Sequence, residues 1–388
     1  GNTYLDCFAG ILTTMIGYNP PELVEAVREQ AGRMLHSSTL YLIRRQVELA
    51  ERIAELSGIP DAKVFFTNSG SEANEAALLL ATTASRSNQV LALRNSYHGR
   101  SYAAMGVTGN RSWSASSFTP VNVSYVHGGY RYRSPFGQLP DADYIKACVD
   151  DLRDVIDTTT AGQVACMIAE PIQGVGGFAV PPDGLFGAMK EVLDDHGILL
   201  VADEVQTGWG RTGEHFWGYQ AHGIVPDAIT FAKGLGNGLP IGGVVARAEL
   251  MDSVAANSIS TFGGNPLVST GALAVLDYLL EHDLQANART VGARLAAGLD
   301  GLAGRHPAVG DVRGKGLMLA VELVEPGSKQ PAAAVAAQVQ EEARRGGLLV
   351  GKGGLYGNVL RIAPPLVLTE AEADEGLEIL TRAIAAVG

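Results

Sequence analysis

Short apolar runs alternate with helical patterns through the first two thirds of the chain. The predicted strands are residues 64–66, 90–94, 121–126, 164–169, 198–201 and 228–231. Apolar residues at helical spacing predict helices over 22–35, 45–56, 71–84 and 185–194. Strands that alternate with helices in this way indicate an α/β fold, in which helices cover both faces of a mainly parallel sheet.

The last third of the chain changes character after two long apolar helices. The predicted elements are helices over 266–280 and 284–302, a strand over 316–323, a helix over 332–345, a strand over 359–362 and a helix from Thr369. We place a domain boundary near Asp283, because the helix–strand pattern before and after it differs. The sequence thus predicts an N-terminal segment over 1–36 that packs with the small domain, a large domain over 37–283 and a smaller α/β domain over 284–388.

Composition narrows the class of protein. The 388 residues are 46% hydrophobic and 18% charged, which is typical of a folded enzyme with a large core. A formal net charge of -12 argues against a nucleic-acid or an anionic membrane partner.

The cysteines indicate the compartment. Cys7, Cys148 and Cys166 are scattered and form neither a disulfide framework nor a metal motif, which favours a reducing, cytoplasmic compartment. The chain starts without Met, so we expect an N-terminal segment to lie before Gly1.

An acid and a lysine follow two of the predicted strands. The run 198–201 leads to Asp203, and the run 228–231 leads to Lys233 and a glycine-rich turn. Ligands of open α/β sheets lie at the carboxyl ends of the strands. Pyridoxal phosphate needs this pair, a lysine for the Schiff base and an acid to keep the ring nitrogen protonated. Alternatively, Asp203 is a helix cap or a structural ion-pair partner, and Lys233 is a solvated surface residue.

Other predicted strand ends carry polar groups that suit parts of one cofactor. Ser71 lies at a predicted helix start after Ser69 and Gly70, where free N–H groups bind phosphate, although serine there also serves as a simple cap. Tyr97 suits stacking on a flat ring or ordinary packing. Glu170 is a strand-end carboxylate or a solvated turn residue. Their co-occurrence favours the cofactor interpretation.

Arg361 lies in an apolar stretch that ends at Pro364 and Pro365. A guanidinium in such a place suits bidentate recognition of a carboxylate, or it belongs to a strand edge that faces water. His36, His98 and Arg211 lie in glycine- or serine-rich turns and are weaker candidates. The sequence has no Cys and His spacing for a metal, so we expect none.

Six ordered motifs resemble those of the class III aminotransferases, which are pyridoxal-phosphate enzymes of fold type I. The motifs are Asn-Ser-Gly-Ser-Glu-Ala at 68–73, Tyr-His-Gly at 97–99, Glu-Pro-Ile-Gln-Gly at 170–174, Ala-Asp-Glu-Val-Gln-Thr-Gly at 202–208, Ala-Lys-Gly at 232–234 and Thr-Phe-Gly-Gly-Asn-Pro at 261–266. The resemblance covers essentially the whole chain. It implies a seven-stranded type of sheet in the large domain and a homodimer with active sites at the interface, in which pairing of dimers into tetramers stays open.

The resemblance also implies roles for individual residues. Lys233 and Asp203 would be catalytic, and Thr261 would reach the phosphate in the neighbouring subunit. The implied cofactor-binding residues are Ser69, Gly70, Ser71, Tyr97, His98, Glu170, Asp203, Val205, Gln206, Lys233 and Thr261. The implied substrate-binding residues are Arg361, Val175, Ile11 and Arg211.

Val175 departs from the resembling 4-aminobutyrate and ornithine enzymes, which have Glu at this position. Without that carboxylate, Arg361 should stay available for the α-carboxylate of a 2-amino or 2-oxo acid. Together with residues 309–318 and 347–353, this makes the chain most similar to the alanine:glyoxylate branch, with glyoxylate or pyruvate as acceptor in a ping-pong reaction. The alternatives are an ω-amino acid aminotransferase, an aminomutase or a decarboxylase, and more remotely a nucleotide- or phosphate-binding protein without pyridoxal phosphate.

Overall fold

The computed structural model describes residues 1–387. In this range the strands are β1 (Leu5–Asp6), β2 (Ala62–Thr67), β3 (Gln89–Leu93), β4 (Asn122–Val126), β5 (Cys166–Ala169), β6 (Leu199–Asp203), β7 (Ala228–Phe231), β8 (Gly242–Arg247), β9 (Val309–Lys315), β10 (Met318–Leu323), β11 (Leu348–Leu349), β12 (Gly351–Gly353) and β13 (Val359–Ile362). The α-helices are α1 (Ala9–Leu12), α2 (Pro21–Arg33), α3 (Arg44–Leu56), α4 (Gly70–Ser85), α5 (Tyr102–Gly106), α6 (Asp141–Thr159), α7 (Leu185–Asp195), α8 (Ala248–Met251), α9 (Pro266–Glu281), α10 (Leu284–Ala303), α11 (Ala333–Arg345) and α12 (Glu370–Val387). Short 3-10 helices span Arg131–Arg133, Gly218–His222 and Lys233–Gly236.

A seven-stranded sheet forms the centre of the fold, in the order β2-β8-β7-β6-β5-β3-β4. Neighbours from β4 to β7 pair in parallel, whereas β8 pairs antiparallel with both β7 and β2. Strands β5 and β7 are buried along their whole length, as expected for parallel strands with helices on both faces. The predicted α/β class with a mainly parallel sheet is confirmed.

Strand β8 was not predicted, although it lies inside the sheet. It begins with Gly242 and Gly243, two residues that weaken a strand pattern, and only a short apolar run follows. A side chain at Gly243 would meet the Phe231 ring at 2.6 Å from its Cβ. The glycines therefore permit close packing beside β7, and they also hide the strand from a periodicity argument.

The C-terminal part contains a four-stranded antiparallel sheet in the order β12-β13-β10-β9. The predicted strand over 316–323 is the second arm of a hairpin, and its first arm, β9, was missed. Gly316 has φ of 54° in the turn between the two arms, a conformation that favours glycine. Strand β1 pairs in parallel with β11, so the start of the chain is attached to its C-terminal part. The division of the chain near residues 36 and 283 stays a prediction.

Helices α9 and α10 are rich in buried apolar residues and belong to the largest core cluster, which reaches from the central sheet into the C-terminal part. Within residues 1–387, no helix combines the length and the hydropathy needed to cross a membrane. What the fold provides for function is one edge of the central sheet, where β2, β3, β5, β6 and β7 all deliver their C-terminal ends.

Candidate active site

A cavity of about 160 Å³ lies at this edge of the sheet. Ten residues that the sequence predicts for the site line it, namely Ser69, Gly70, Ser71, Tyr97, His98, Glu170, Asp203, Val205, Gln206 and Lys233. Asn74 and Gly99 complete the lining. The strand ends therefore bring together the residues that the sequence could place only along the chain.

Lys233 follows β7 and occupies a strained part of the turn. Its φ is 41°, a left-handed conformation that costs a side-chain-bearing residue of order 1–3 kcal/mol and that is concentrated at functional sites. Burial lowers the pKa of its amine to about 8, while Asp203 and Glu170 oppose that shift. A lysine with this pKa has a substantial neutral fraction near pH 8, so its amine is able to accept a proton.

Asp203 ends β6 and is buried. Its Oδ2 accepts a hydrogen bond from Asn74 Nδ2 at 2.8 Å and lies 2.8 Å from His98 Nδ1. Its Oδ1 accepts from the Val205 N–H at 3.2 Å. Three neighbours therefore fix both carboxylate oxygens, and no helix begins at Asp203, so the helix-cap interpretation is wrong.

Asn74 is a site residue that the sequence argument missed. Its Nδ2 donates to the His98 carbonyl at 2.7 Å as well as to Asp203, and its Oδ1 accepts from Thr230 Oγ1 at 2.6 Å. The available signal was an amide three residues after Ser71 in α4, on the helix face that packs on the sheet. Both polar atoms of the buried Asn74 amide are hydrogen-bonded, and its contact with Asp203 orients that carboxylate.

Glu170 is buried at the end of β5, so the solvated interpretation is wrong. One carboxylate oxygen accepts from the Tyr97 N–H and the other from the Gly174 N–H, both at 2.8 Å. Burial raises the pKa of this carboxyl to about 7, and His98 acts in the opposite direction. Glu170 thus clamps the loops that follow β3 and β5.

The N-terminus of α4 forms the other end of the cavity. Ser69 caps the helix by accepting from the Glu72 N–H at 3.2 Å, so the cap is not Ser71. Among the described residues, the Gly70 and Ser71 N–H groups have no partner, as the first amides of a helix do. Gly99 has φ of 138°, and a Cβ there would lie 2.5 Å from Ser71 Oγ. Because glycine has no Cβ, the loop at Gly99 lies close to Ser71 without blocking the helix N-terminus, where an anion can bind.

The cavity suits pyridoxal phosphate on two further observations. His98 Nε2 and Gln206 Oε1 are buried without a hydrogen-bond partner, and both residues line the cavity. A ligand in the cavity would supply the hydrogen-bond partners that these two atoms lack. A Cβ at Gly174 would lie 2.3 Å from the Gln206 amide, so glycine is needed there to keep that amide in place. Within residues 1–387, no cluster of His, Cys, Asp and Glu is arranged to hold a metal.

Arg361, in β13, is buried with 5% exposure and forms no ion pair within residues 1–387. Its guanidinium makes only long contacts of 3.4 Å to the carbonyls of Gly174 and Lys352, and its buried Nε has no partner. Phe8 and Phe178 flank it with ring centroids at 5.0 and 5.6 Å. Burial lowers its pKa to about 10, and it lowers the pKa of Lys233 in turn, so the two cations lie near each other.

The remaining predicted residues lie outside the lining of the cavity. Arg211 is buried, and its Nη1 donates to the carbonyls of Leu317 and Pro364. Val175 is buried next to Gly174, Ile11 is 46% exposed in α1, and Thr261 is exposed beside Phe262. The structure therefore places Arg211 at a junction between segments of the fold.

Comparison with known proteins gives a consistent result. The family model described as aminotransferase class-III matches residues 1–384. The chain is 43% identical over 380 residues to alanine–glyoxylate aminotransferase 2 homolog 2, mitochondrial, of Arabidopsis thaliana, covering 96% of this chain and 77% of that protein. It is 39% identical over 389 residues to the leucine/methionine racemase of Thermococcus litoralis, covering 99% of this chain and 87% of that protein.

Solved structures agree with the sequence relatives. An amine transaminase from an uncultivated Pseudomonas species, solved in its PLP-bound form, superposes with a TM-score of 0.93 at 33% identity. The alignment covers 99% of this chain and 91% of that one. The chain therefore belongs to the class III aminotransferases, and it is a pyridoxal-phosphate-dependent enzyme of fold type I.

Proposed function

We propose that this aminotransferase exchanges an amino group between a 2-amino acid and a 2-oxo acid, with glyoxylate or pyruvate as acceptor. The observation that carries the proposal is the state of Arg361. A buried guanidinium without a carboxylate partner is costly, and a substrate carboxylate that forms a bidentate pair with it removes that cost. Val175 beside it brings no competing charge.

Around the cofactor, each lining residue has a proposed role. The amides of Gly70 and Ser71 would bind the phosphate, and Thr261 of a second copy would reach it as well. Tyr97, whose ring meets Trp113 at a centroid distance of 5.4 Å, would lie against the face of the cofactor ring. Asp203 would hold the proton on the ring nitrogen, with Asn74 and His98 orienting it, and Gln206 would bind the ring hydroxyl.

Lys233 would hold the cofactor covalently through Nζ in the resting enzyme. When bound, pyridoxal phosphate supplies an aldehyde carbon for amino-group exchange and a ring that withdraws electrons from the substrate. With its amine free and neutral, Lys233 would take the proton from the 2-carbon of the substrate and hold it on Nζ until it is returned. The lowered pKa of Lys233 favours this neutral form.

The 2-oxo acid acceptor is supported by the likeness to the alanine–glyoxylate relative from Arabidopsis. A second candidate, transfer from ω-amino acids or simple amines, is supported by the likeness to the amine transaminase. A third, inversion of an amino acid at its 2-carbon, is supported by the racemase relative, and it needs the same proton removal but no acceptor.

The three candidates are separated by one set of assays on the pyridoxal-phosphate-loaded enzyme. Alanine, other 2-amino acids, 5-aminovalerate and a simple amine are each tested with glyoxylate, pyruvate or no acceptor. We expect turnover of 2-amino acids that requires the oxo acid. Preference for the ω-amine, or inversion of L-alanine without acceptor, would overturn the proposal.

Lys233→Ala tests the role of the lysine. This variant should retain the fold by circular dichroism and lose turnover, and Arg305→Ala is the surface control.

We also propose that two copies of the chain form a homodimer. Leu40, Tyr41 and Leu42 are 82%, 72% and 95% exposed, and Phe262 is 60% exposed. The His36 and Phe262 rings lie 5.4 Å apart, which brings the two segments together, and we call these exposed residues the 36–42/262 patch. An apolar patch of this kind is typical of a protein interface. Thr261 is part of the same loop, which explains how a second copy would complete the site.

The dimer is tested by light scattering of the loaded enzyme. Leu40→Asp/Leu42→Asp should halve the measured mass and weaken retention of pyridoxal phosphate. Val225→Asp changes an exposed apolar residue elsewhere and should do neither. A wild-type chain that is monomeric at micromolar concentration contradicts this assignment.

A further inference from the structure

A second cavity, of about 740 Å³, lies at the neighbouring end of the sheet and shares no lining residue with the active-site cavity. Arg94 and His127, which line it, are the first residues after β3 and β4, two strands that pair in parallel. The Arg94 N–H donates to the Val126 carbonyl at 3.0 Å, so the two strand ends stay side by side. The cavity extends to the loop before β13, where Tyr356 forms part of its wall.

Positive charge is concentrated in this cavity, although the protein is acidic overall. Arg94, Arg111 and Arg133 line it, and no Asp or Glu does among the described residues. Arg94 and Arg111 are exposed, and within residues 1–387 neither guanidinium has a hydrogen-bond or ion-pair partner. An unpaired cation in open water needs no explanation, but two in one concave cavity lower the free energy of any anion that enters.

Arg133 belongs to an ion-pair network and keeps one nitrogen without a partner. Its Nε donates to Glu322 at 2.6 Å, and its Nη1 donates to the Lys329 carbonyl at 2.6 Å. Glu322 is shared with Arg313, which also pairs with Asp311. Two carboxylates therefore match two guanidinium groups in this network, and Arg94 and Arg111 remain as a surplus. Moreover, Arg133 Nη2 is buried without a partner.

The lining offers hydrogen-bond donors and few acceptors. Ser134 Oγ accepts from the Phe136 N–H at 3.2 Å, and its hydroxyl is also hydrogen-bonded to the Tyr144 side chain. The His127 ring packs edge-on against Phe136, and Asp151 accepts only from its backbone N–H, at 2.7 Å. A guanidinium presents two parallel N–H groups, which match the oxygens of a phosphate or a carboxylate. Donors of this kind select an oxyanion over a neutral or cationic ligand.

From these observations we propose that the cavity is a binding site for a small oxyanion with two negative charges, held by Arg94 and Arg111 with Arg133 as a further donor. The shared chemistry fits a phosphate group and a dicarboxylate. The site is separate from the one that holds the cofactor phosphate. It requires nothing of the aminotransferase reaction, so it stands or falls independently of the proposed substrate.

Two hydrogen bonds join the wall of this cavity to the loop that follows Glu170. The Arg94 carbonyl accepts from Gln173 Nε2 at 2.8 Å, and Asn95 Nδ2 donates to the Gly176 carbonyl at 3.0 Å. Gln173 and Gly176 bracket Val175 and follow Glu170 in the same loop. An anion bound by Arg94 would therefore lie next to the loop that contains Glu170 and Val175.

The experiment is isothermal titration of the pyridoxal-phosphate-loaded enzyme at constant ionic strength, with inorganic phosphate in one arm and succinate in the other. We expect saturable binding of at least one probe. Arg94→Gln/Arg111→Gln should weaken it by about tenfold or more, since each charge-assisted pair contributes substantially. Arg153→Gln/Arg305→Gln removes the same charge from exposed positions outside the cavity and should leave the affinity unchanged.

The probe that binds with the higher affinity shows whether the site prefers a phosphate group or a dicarboxylate. Absence of saturable binding for both probes overturns the proposal, and so does equal binding by the wild type and the Arg94→Gln/Arg111→Gln variant. If that variant does not fold, Arg94→Lys/Arg111→Lys keeps the charge and removes the paired N–H groups. Its affinity should then fall below that of the wild type, and an unchanged affinity contradicts the site.

Discussion

Arg211 and Arg361 are two buried arginines in different regions of the same molecule, and they differ in what surrounds them. Both lack a carboxylate ion pair within residues 1–387, and burial lowers their pKa values to about 9 and about 10. Each also has one buried nitrogen without a partner, Nη2 in Arg211 and Nε in Arg361. Burial alone therefore does not distinguish a structural arginine from a binding one.

The neighbours make the distinction. Arg211 donates to the main chain of Leu317 and Pro364, and burial is the sole cause of its pKa shift. Arg361 has only long contacts to carbonyls, and it interacts electrostatically with Glu170 and Lys233 at the cofactor cavity. A guanidinium that lies among ionisable groups at a cavity is available for substrate, whereas one bound to main-chain carbonyls holds segments together.

The largest expected effect is that of Arg361→Gln on turnover. Loss of a bidentate charge-assisted pair should lower kcat/KM for 2-amino acids by roughly 100- to 1000-fold, about 3–4 kcal/mol. The free energy of unfolding should change far less, because the wild-type guanidinium has weak protein contacts. Steady-state kinetics and urea unfolding measure the two quantities. A variant with normal kcat/KM would remove Arg361 from the substrate site.

Arg211→Ala should show the reverse pattern. It leaves the Leu317 and Pro364 carbonyls without their donor and creates a cavity, so unfolding should become easier by about 2–3 kcal/mol. The KM for the 2-amino acid should stay near the wild-type value in protein that remains folded. A raised KM without a loss of stability would support the prediction from sequence that Arg211 contacts substrate.

The sequence predicts features that depend on neighbouring residues better than features that depend on residues far apart in the chain. Apolar periodicity located the strands around Ala228 and the helix after Gly70 to within a few residues, because those signals are local. It missed β8, where Gly242 and Gly243 interrupt the pattern, and it missed β9, the arm of the hairpin that precedes Gly316. Local patterns also failed for Asn74, whose role depends on Asp203, 129 residues further along the chain.

The partners of an arginine are a long-range property as well. In sequence, Arg211 and Arg361 are both single cations among apolar and glycine residues, and nothing local tells which carbonyl or cavity each will meet. Motif resemblance supplied the positions around the cofactor. Only the fold shows that Arg211 contacts Pro364, which lies 153 residues away.

Val175→Glu sharpens the comparison by giving Arg361 the carboxylate partner that it lacks. Gly174 contacts Arg361 through its carbonyl, so a glutamate at the next residue comes close to the guanidinium. The preference for 2-amino acids over ω-amines should fall about tenfold, or about 1.4 kcal/mol. Val175→Gln has nearly the same shape without the charge and is the control. If both variants behave alike, size and not charge sets the preference.

The smallest expected effect concerns Glu170, the acid that interacts with Arg361 without forming an ion pair. Its pKa is raised to about 7, so it ionises between pH 6 and 8 in the folded protein. Below pH 7 the neutral carboxyl leaves Arg361 free, and above pH 7 the added negative charge competes for the guanidinium. The inhibition constant of propionate, which has a carboxylate but no amine, should therefore rise about threefold across this range, a fraction of the 1.4 kcal/mol that a tenfold change represents.

In Glu170→Gln the rise should disappear, because that side chain does not titrate. Persistence of the same rise in Glu170→Gln would show that Glu170 does not set the pH dependence of carboxylate binding.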